Sequence, residues 1–529
     1  GGEAWNKAFE SAGFKNALQI RVQPDDAEWD AGDIRYNVLR WTSSPNPQFG
    51  GYGPHFENPR TGQTIGADIM LEYVFLTNRM RYSEIFSSAG LDLEELDDEP
   101  EGSCSMGQFL HRQTLFGMSA LMAMGAGEEE RDKLIEDAIY RLILHEIGHT
   151  LGLNHNMKAS QLRSLEDVHN RELTQAEGIT ASVMDYPALN IAGLGKVQGE
   201  YYDTTPGPYD HWAIEYGYSE ALDDPQAEAA RLKAILNRSS EPALMFGNDA
   251  DDMRRPGRGI DPRVMIGDLS SDSIGYAVER MQLINDLLPK LEARLTPKGE
   301  SYQRLLDSYL ILTAQYSGSA RVVSRHIGGV YVDRSMAGQV GAEPPYQPVP
   351  ASEQRRAMAA LEEYVFSPRA LSAGASLYSR LQPQRRGFDF GDRTEDPKIH
   401  ARTLTIQQGI LEFLLDTKTL TRISDSRLYG NQYELTEVLG DLTNAVFAAD
   451  VGSDINSHRQ NLQIDYVKRL VGVSGAGGSS EHDFLSQSAA LAQLREIRAM
   501  FGKKKHVNNE TRAHTNHLLF LIGKALAID

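Results

Sequence analysis

The segment His145-Glu146-Ile147-Gly148-His149-Thr150-Leu151-Gly152-Leu153-Asn154-His155 carries the residue types and spacing that can do chemistry. On a helix, His145 and His149 differ by only ~40° in direction and ~6 Å along the axis. Both imidazoles can then reach one tetrahedral ion at roughly 2.0–2.1 Å. Glu146, next to the first ligand, points to the side where an open coordination position holds water. Gly152 can take a left-handed conformation and end the helix abruptly, so that the chain doubles back and His155 closes the site. Three neutral imidazoles leave a fourth position for water, which is the pattern of a catalytic rather than a structural zinc. The expected roles are therefore His145, His149 and His155 as zinc ligands and Glu146 as general base.

A helix must present this segment. Glu128-Glu129-Glu130 suits a helix start, and Leu134, Ile135, Ala138, Ile139, Leu142 and Ile143 form one apolar stripe that leads straight into His145. That stripe is what sets the segment apart from a chance cluster of histidines at a helix end. Before it, a helix is expected over Trp5–Ala12. Strands are expected at Ile34–Thr42, where apolar and polar residues alternate, and at Thr64–Leu71 after the turn Asn58-Pro59-Arg60-Thr61-Gly62. Residues 90–104 read as an acidic, loop-like insert. From about 220 onward long amphipathic segments dominate, near 273–295, 299–316, 351–365, 401–417, 433–448, 484–501 and 509–527. Gly328–Asp333 reads as a short strand or hairpin, and Glu343–Pro350 and Gly472–Ser480 as loops. The fold class expected is α+β: a twisted mixed sheet with an active-site helix over residues 1–220, then a mainly α-helical domain over 221–529.

The extended motif resembles the metzincin clan of zinc endopeptidases, whose signature is HExxHxxGxxH followed by a Met-containing turn. Ser182-Val183-Met184-Asp185-Tyr186-Pro187 resembles that turn, with Met184 falling 29 residues beyond His155. The resemblance implies Met184 as an apolar floor under the ligands. It implies for Tyr186 the role of a tyrosine that binds zinc and then swings toward the transition state. Asn156, after the last ligand, matches the usual residue of no well-known branch. Asn58–Gly62 leading to Gly66-Ala67-Asp68-Ile69 resembles the strand that borders the cleft, an edge along which a peptide or protein substrate can add by main-chain hydrogen bonds. Tyr209–Gly217 resembles the helix after the Met-turn, with His211 on helix or pocket surface rather than as a fourth ligand. With its long helical tail the chain is similar to a bacterial family of large exported Met-zincin-like proteins. That similarity implies a periplasmic, cell-surface or extracellular location. Gly1–Trp5 shows neither basic nor apolar leader character, as in a mature product or a piece of something longer.

The bulk numbers bound the partners. With 529 residues, at least two domains are expected. A net charge of −20 supplies no basic excess for nucleic acid. No apolar run is long enough to span a membrane. The lone cysteine, Cys104, precludes an intrachain disulfide and reads as a small buried hydrophobe. Asn248-Asp249-Ala250-Asp251-Asp252, with Asp261, Asp268 and Asp272, is a candidate for Ca2+, which takes six to eight oxygens. It matches no EF-hand, and such charge runs more often form a solvated face. Arg321, Arg325 and His326 read as surface charges ahead of a strand, the alternative being that they line the cleft where the helical domain packs over it. The leading expectation is a zinc metalloendopeptidase. The alternatives are an inert scaffold that keeps the metal site and a zinc hydrolase of a non-peptide amide.

Overall fold

The computed structural model describes residues 1–43, 51–72, 106–253, 255–384, 394–502 and 508–526. The acidic stretch 90–104 and Cys104 lie outside these residues.

The chain is α+β, as expected. Its main sheet holds strands β1 (Val38–Thr42), β2 (Gly51–Tyr52), β3 (His55–Glu57) and β4 (Thr64–Glu72). Strand β4 pairs in parallel with β1, Val38 facing Asp68 and Thr42 facing Glu72. On its other side it pairs antiparallel with β2 and β3, the latter through a register shift at Phe56/Glu57. Ile69 and Leu71 of β4 turn inward. The sheet packs on the long helix Glu128–Thr150 through β2 and β4.

This topology differs from the expected position of Gly66–Ile69 at a sheet edge. Among the described residues, Gly66–Ile69 lie within β4, which is flanked on both sides, and β2 and β3 are the outer strands on this side of the sheet. A second correction concerns β1, which begins only at Val38. Asp30 and Asp33 accept hydrogen bonds from the backbones of Gly32 and Arg35 (2.8 and 3.0 Å), and these local bonds hold the preceding residues in turns. A third concerns Glu343–Pro350, where Tyr346–Pro348 forms a strand paired antiparallel with Val330–Val332. Proline is tolerated there because this two-stranded ribbon consists of edges alone.

The expected helices are present with shifted ends, among them Ser273–Leu287, Gln303–Ser324, Ile399–Leu414, Leu435–Phe447, Phe484–Phe501 and Asn509–Ala525. Helix Met106–Met124 packs on both Glu128–Thr150 and Gln303–Ser324, joining the front of the molecule to its back. The largest apolar cluster accordingly runs from Trp5 to Ile522 and crosses position 220. Among the described residues no helix is long and apolar enough to cross a membrane.

Candidate metal centre

The helix Glu128–Thr150 opens on three glutamates and stops where the motif needs it to. Gly152 has φ +84°, the left-handed region that favours glycine. Its N–H donates to the His149 carbonyl (3.0 Å) and that of Leu153 to the Gly148 carbonyl (3.1 Å), the paired bonds of a Schellman ending. The chain then reverses and brings His155 back beside His149.

One ring nitrogen from each of His145, His149 and His155 lies within 4.8 Å of the other two. The ring centroids are 4.7 Å apart for His145 and His149, 4.8 Å for His149 and His155, and 5.2 Å for His145 and His155. Each Nδ1 faces an acceptor: the Val183 carbonyl for His145 (2.9 Å), the Leu153 carbonyl for His149 (3.1 Å) and Asp249 Oδ2 for His155 (2.8 Å). These contacts fix the tautomer, with the proton on Nδ1 and a lone pair on Nε2. Burial, with the neighbouring imidazoles, holds His145 well below the usual histidine range and pushes His149 down to about 4. Both rings are therefore neutral near pH 7.

This donor set fits a zinc ion. The Nε2 atoms of His149 and His155 stand 3.1 Å apart, each with a lone pair, a contact that a shared cation stabilises. Among the described residues, no other group of three or more His, Cys, Asp or Glu converges closely enough to share an ion.

The turn Ser182–Pro187 forms the floor. Met184 is fully buried, and a Cβ at Gly148 would overlap its sulfur. Arg141, one helical turn before His145, donates to the carbonyls of Val183 and Asp185. Asp210 accepts from Ser182 Oγ (2.6 Å) and the Val183 N–H (2.8 Å), and burial raises its carboxyl to about 6. Asn156 clips the chain after the last ligand to this floor, its N–H donating to the Met184 carbonyl (3.0 Å) and its Nδ2 to the Met245 carbonyl (3.0 Å). That explains an asparagine at a position uninformative by sequence. Tyr186 is buried with its hydroxyl 3.2 Å from His155 Nε2.

Glu146 is buried beside the histidines, and the chain between β2 and β3 passes directly over it. A Cβ at Gly53 would lie 2.6 Å from the Glu146 carbonyl oxygen and 3.2 Å from Oε2. Only a residue without a side chain permits that approach.

Several residues have partners that sequence reasoning did not assign. Asp249, in the acidic run read as a calcium candidate, orients His155. Its neighbours turn to other partners: Asp251 to Arg334, Asp252 to Arg325 (2.6 Å), Asp261 to Arg263 (2.8 Å), Asp272 to Arg356 (2.8 Å) and Asp268 to Ser160 (2.8 Å). Two of the charges read as surface features are drawn inward, because the end of helix Gln303–Ser324 packs inside the molecule. Arg325 also donates to the Val264 carbonyl (3.1 Å), and His326 is buried against Ser273 Oγ (3.0 Å). His211 bonds Ser11 Oγ (2.9 Å) and is not one of the clustered three.

Residues 127–453, more than half of the chain, match a family model described as Met-zincin. No curated protein and no solved structure matches the chain.

Proposed function

The chain belongs to the Met-zincin family, and from that premise we propose that it is a zinc-dependent metalloendopeptidase. The single observation that carries the reading is the orientation of the triad. Three Nδ1 atoms engage acceptors, and the ligand nitrogens converge beside a buried glutamate.

In this reading a zinc ion, when bound, supplies a Lewis acid and acidifies a water to a pKa of about 7. The chain's own residues do the rest. Glu146 takes the proton of the attacking water at its carboxylate and returns it to the leaving amine. The Tyr186 hydroxyl, beside His155, donates to the oxygen that gains charge as the carbonyl is attacked. The substrate is an extended peptide or protein segment that adds to the edge formed by β2 and β3, where the chain crosses Glu146. Packing of Gly53 and of the sheet over the helix keeps bulk water from the base. Export from the cytoplasm belongs to the same proposal and rests on the resemblance to exported proteins.

The Glu146→Gln variant, assayed for zinc content and for cleavage of a denatured proteome, tests this assignment. Zinc should be retained while hydrolysis falls at least about a hundredfold, the scale of general-base catalysis. Cleavage at the wild-type rate rules out Glu146 as the base. A zinc-loaded wild-type chain that cleaves nothing supports the inert-scaffold alternative instead.

A further inference from the structure

The third histidine of the triad depends on a short segment far along the chain. Asp249, which accepts the Nδ1 proton of His155 at 2.8 Å, belongs to the four-residue helix Asp249–Asp252. A single helical turn does not hold itself together in water, because nucleation costs more than its one hydrogen bond returns. This turn also ends on Met253 at φ +36°, a left-handed conformation that a methionine rarely adopts. The Asp249 side chain is 55 % exposed, so water competes for its carboxylate. Contacts outside the turn must therefore keep Asp249 facing His155.

Those contacts come from both ends. Ahead of the turn, Gly247 binds the chain that follows His155. Its N–H donates to Asn156 Oδ1 (3.2 Å), and its carbonyl accepts from the Met157 N–H (2.7 Å). At the far end stands Arg325, the residue that closes helix Gln303–Ser324. Its guanidinium donates to Asp252 Oδ1 (2.6 Å) and to the Asp252 carbonyl (3.2 Å), gripping side chain and backbone of one residue. A bond to the Val264 carbonyl (3.1 Å) fixes the guanidinium itself. The pair is desolvated, Asp252 being 2 % and Arg325 11 % exposed at the side chain, so it is screened far less than a surface pair. The neighbouring Arg334–Asp251 pair is the contrast: Arg334 is exposed, and a pair of that kind holds little.

We infer that Arg325 is a positioning residue of the metal centre, holding Asp249, and through it the His155 ring, from the helical back half of the chain. The inference rests on the reading of the triad as a zinc site. Its path is short and continuous: guanidinium to Asp252, one helical turn to Asp249, carboxylate to imidazole. Without the guanidinium the turn loses its buried anchor and Asp249 moves into solvent. The His155 ring then keeps neither one orientation nor one tautomer.

The test is a double-variant cycle on the full chain, read as zinc affinity against a competing chelator. Arg325→Gln should bind zinc about tenfold more weakly, the low end of what losing an outer partner of a metal ligand costs. Because Arg325 acts through Asp249, Arg325→Gln in an Asp249→Ala background should cost nothing further. Asp252→Asn, which keeps the shape and removes the charge, takes its place if Arg325→Gln does not unfold cooperatively. Wild-type affinity in these variants overturns the inference. So does a double variant that binds more weakly than Asp249→Ala alone, since that marks damage unrelated to Asp249. The zinc-free chain gives a second reading, by nitrogen NMR of isotope-labelled histidine. His155 should keep its ring proton on Nδ1 in the wild type and share it between both nitrogens in Arg325→Gln. An unchanged ring pattern overturns the inference. A wild-type chain that binds no zinc overturns the zinc reading instead, and the NMR comparison then decides the role of Arg325.

Discussion

Gly148 lies so close to Met184 that a Cβ on residue 148 would overlap the methionine sulfur and come within 3.2 Å of the Trp5 ring. The glycine inside the metal-binding motif is thus a packing requirement of the turn beneath it. Gly148→Ala should destabilise the chain by about 1–3 kcal/mol, the usual scale of overpacking. It should also weaken zinc binding, because the helix must move off its floor. Met184→Ala in the same chain should recover part of the loss. Thermal unfolding of the single and double variants checks this, and a wild-type melting temperature for Gly148→Ala contradicts it.

Asp249 accepts the Nδ1 proton of His155 at 2.8 Å from a half-exposed position. It orients the ring of a candidate ligand from outside the histidine cluster. Replacing such an outer partner lowers metal affinity by about 10–100-fold. Asp249→Ala should therefore fall in that range when zinc is titrated against a competing chelator. Unchanged affinity would show that His155 is held by its backbone alone.

Asp185 and Asp268 are fully buried around Ser160, whose N–H and hydroxyl they accept at 2.5 and 2.8 Å. Burial pushes Asp268 up to about 7; burial, reinforced by Asp268, raises Asp185 well above the carboxylate range. The folded chain thus keeps protons that the unfolded chain releases near about 3.9. More protons on the folded state mean that the stability contributed by these two carboxyls is greatest in acid and declines as pH rises from about 4 through 7. The slope is at most about 1.4 kcal/mol per pH unit for each group. Asp268→Asn should flatten that decline in denaturant unfolding measured across the interval, and an unchanged slope would contradict the assignment.

The triad was legible in the sequence because its three ligands fall within one helix and its reversal. Period and glycine chemistry alone bring them together there. Strand β4 and the long amphipathic helices were legible for the same local reason. What escaped depends on contacts distant along the chain. Asp249 lies 94 residues from the histidine it orients, inside a run whose composition suggests only charge. The outer strands among the described residues were hidden because β2 and β3 span two and three residues around Gly53 and Pro54, too short for a periodic signal. Helix Met106–Met124 is buried on most of its surface between two other helices, so no polar face marked it.

Zinc content tests the central claim most directly. The full chain, loaded with zinc and freed of excess, should hold about one ion per molecule by elemental analysis. His149→Ala and His155→Ala should each hold almost none while keeping the helical circular dichroism of the parent. A wild-type chain without zinc, or variants that keep it, would contradict a metal site built on these imidazoles.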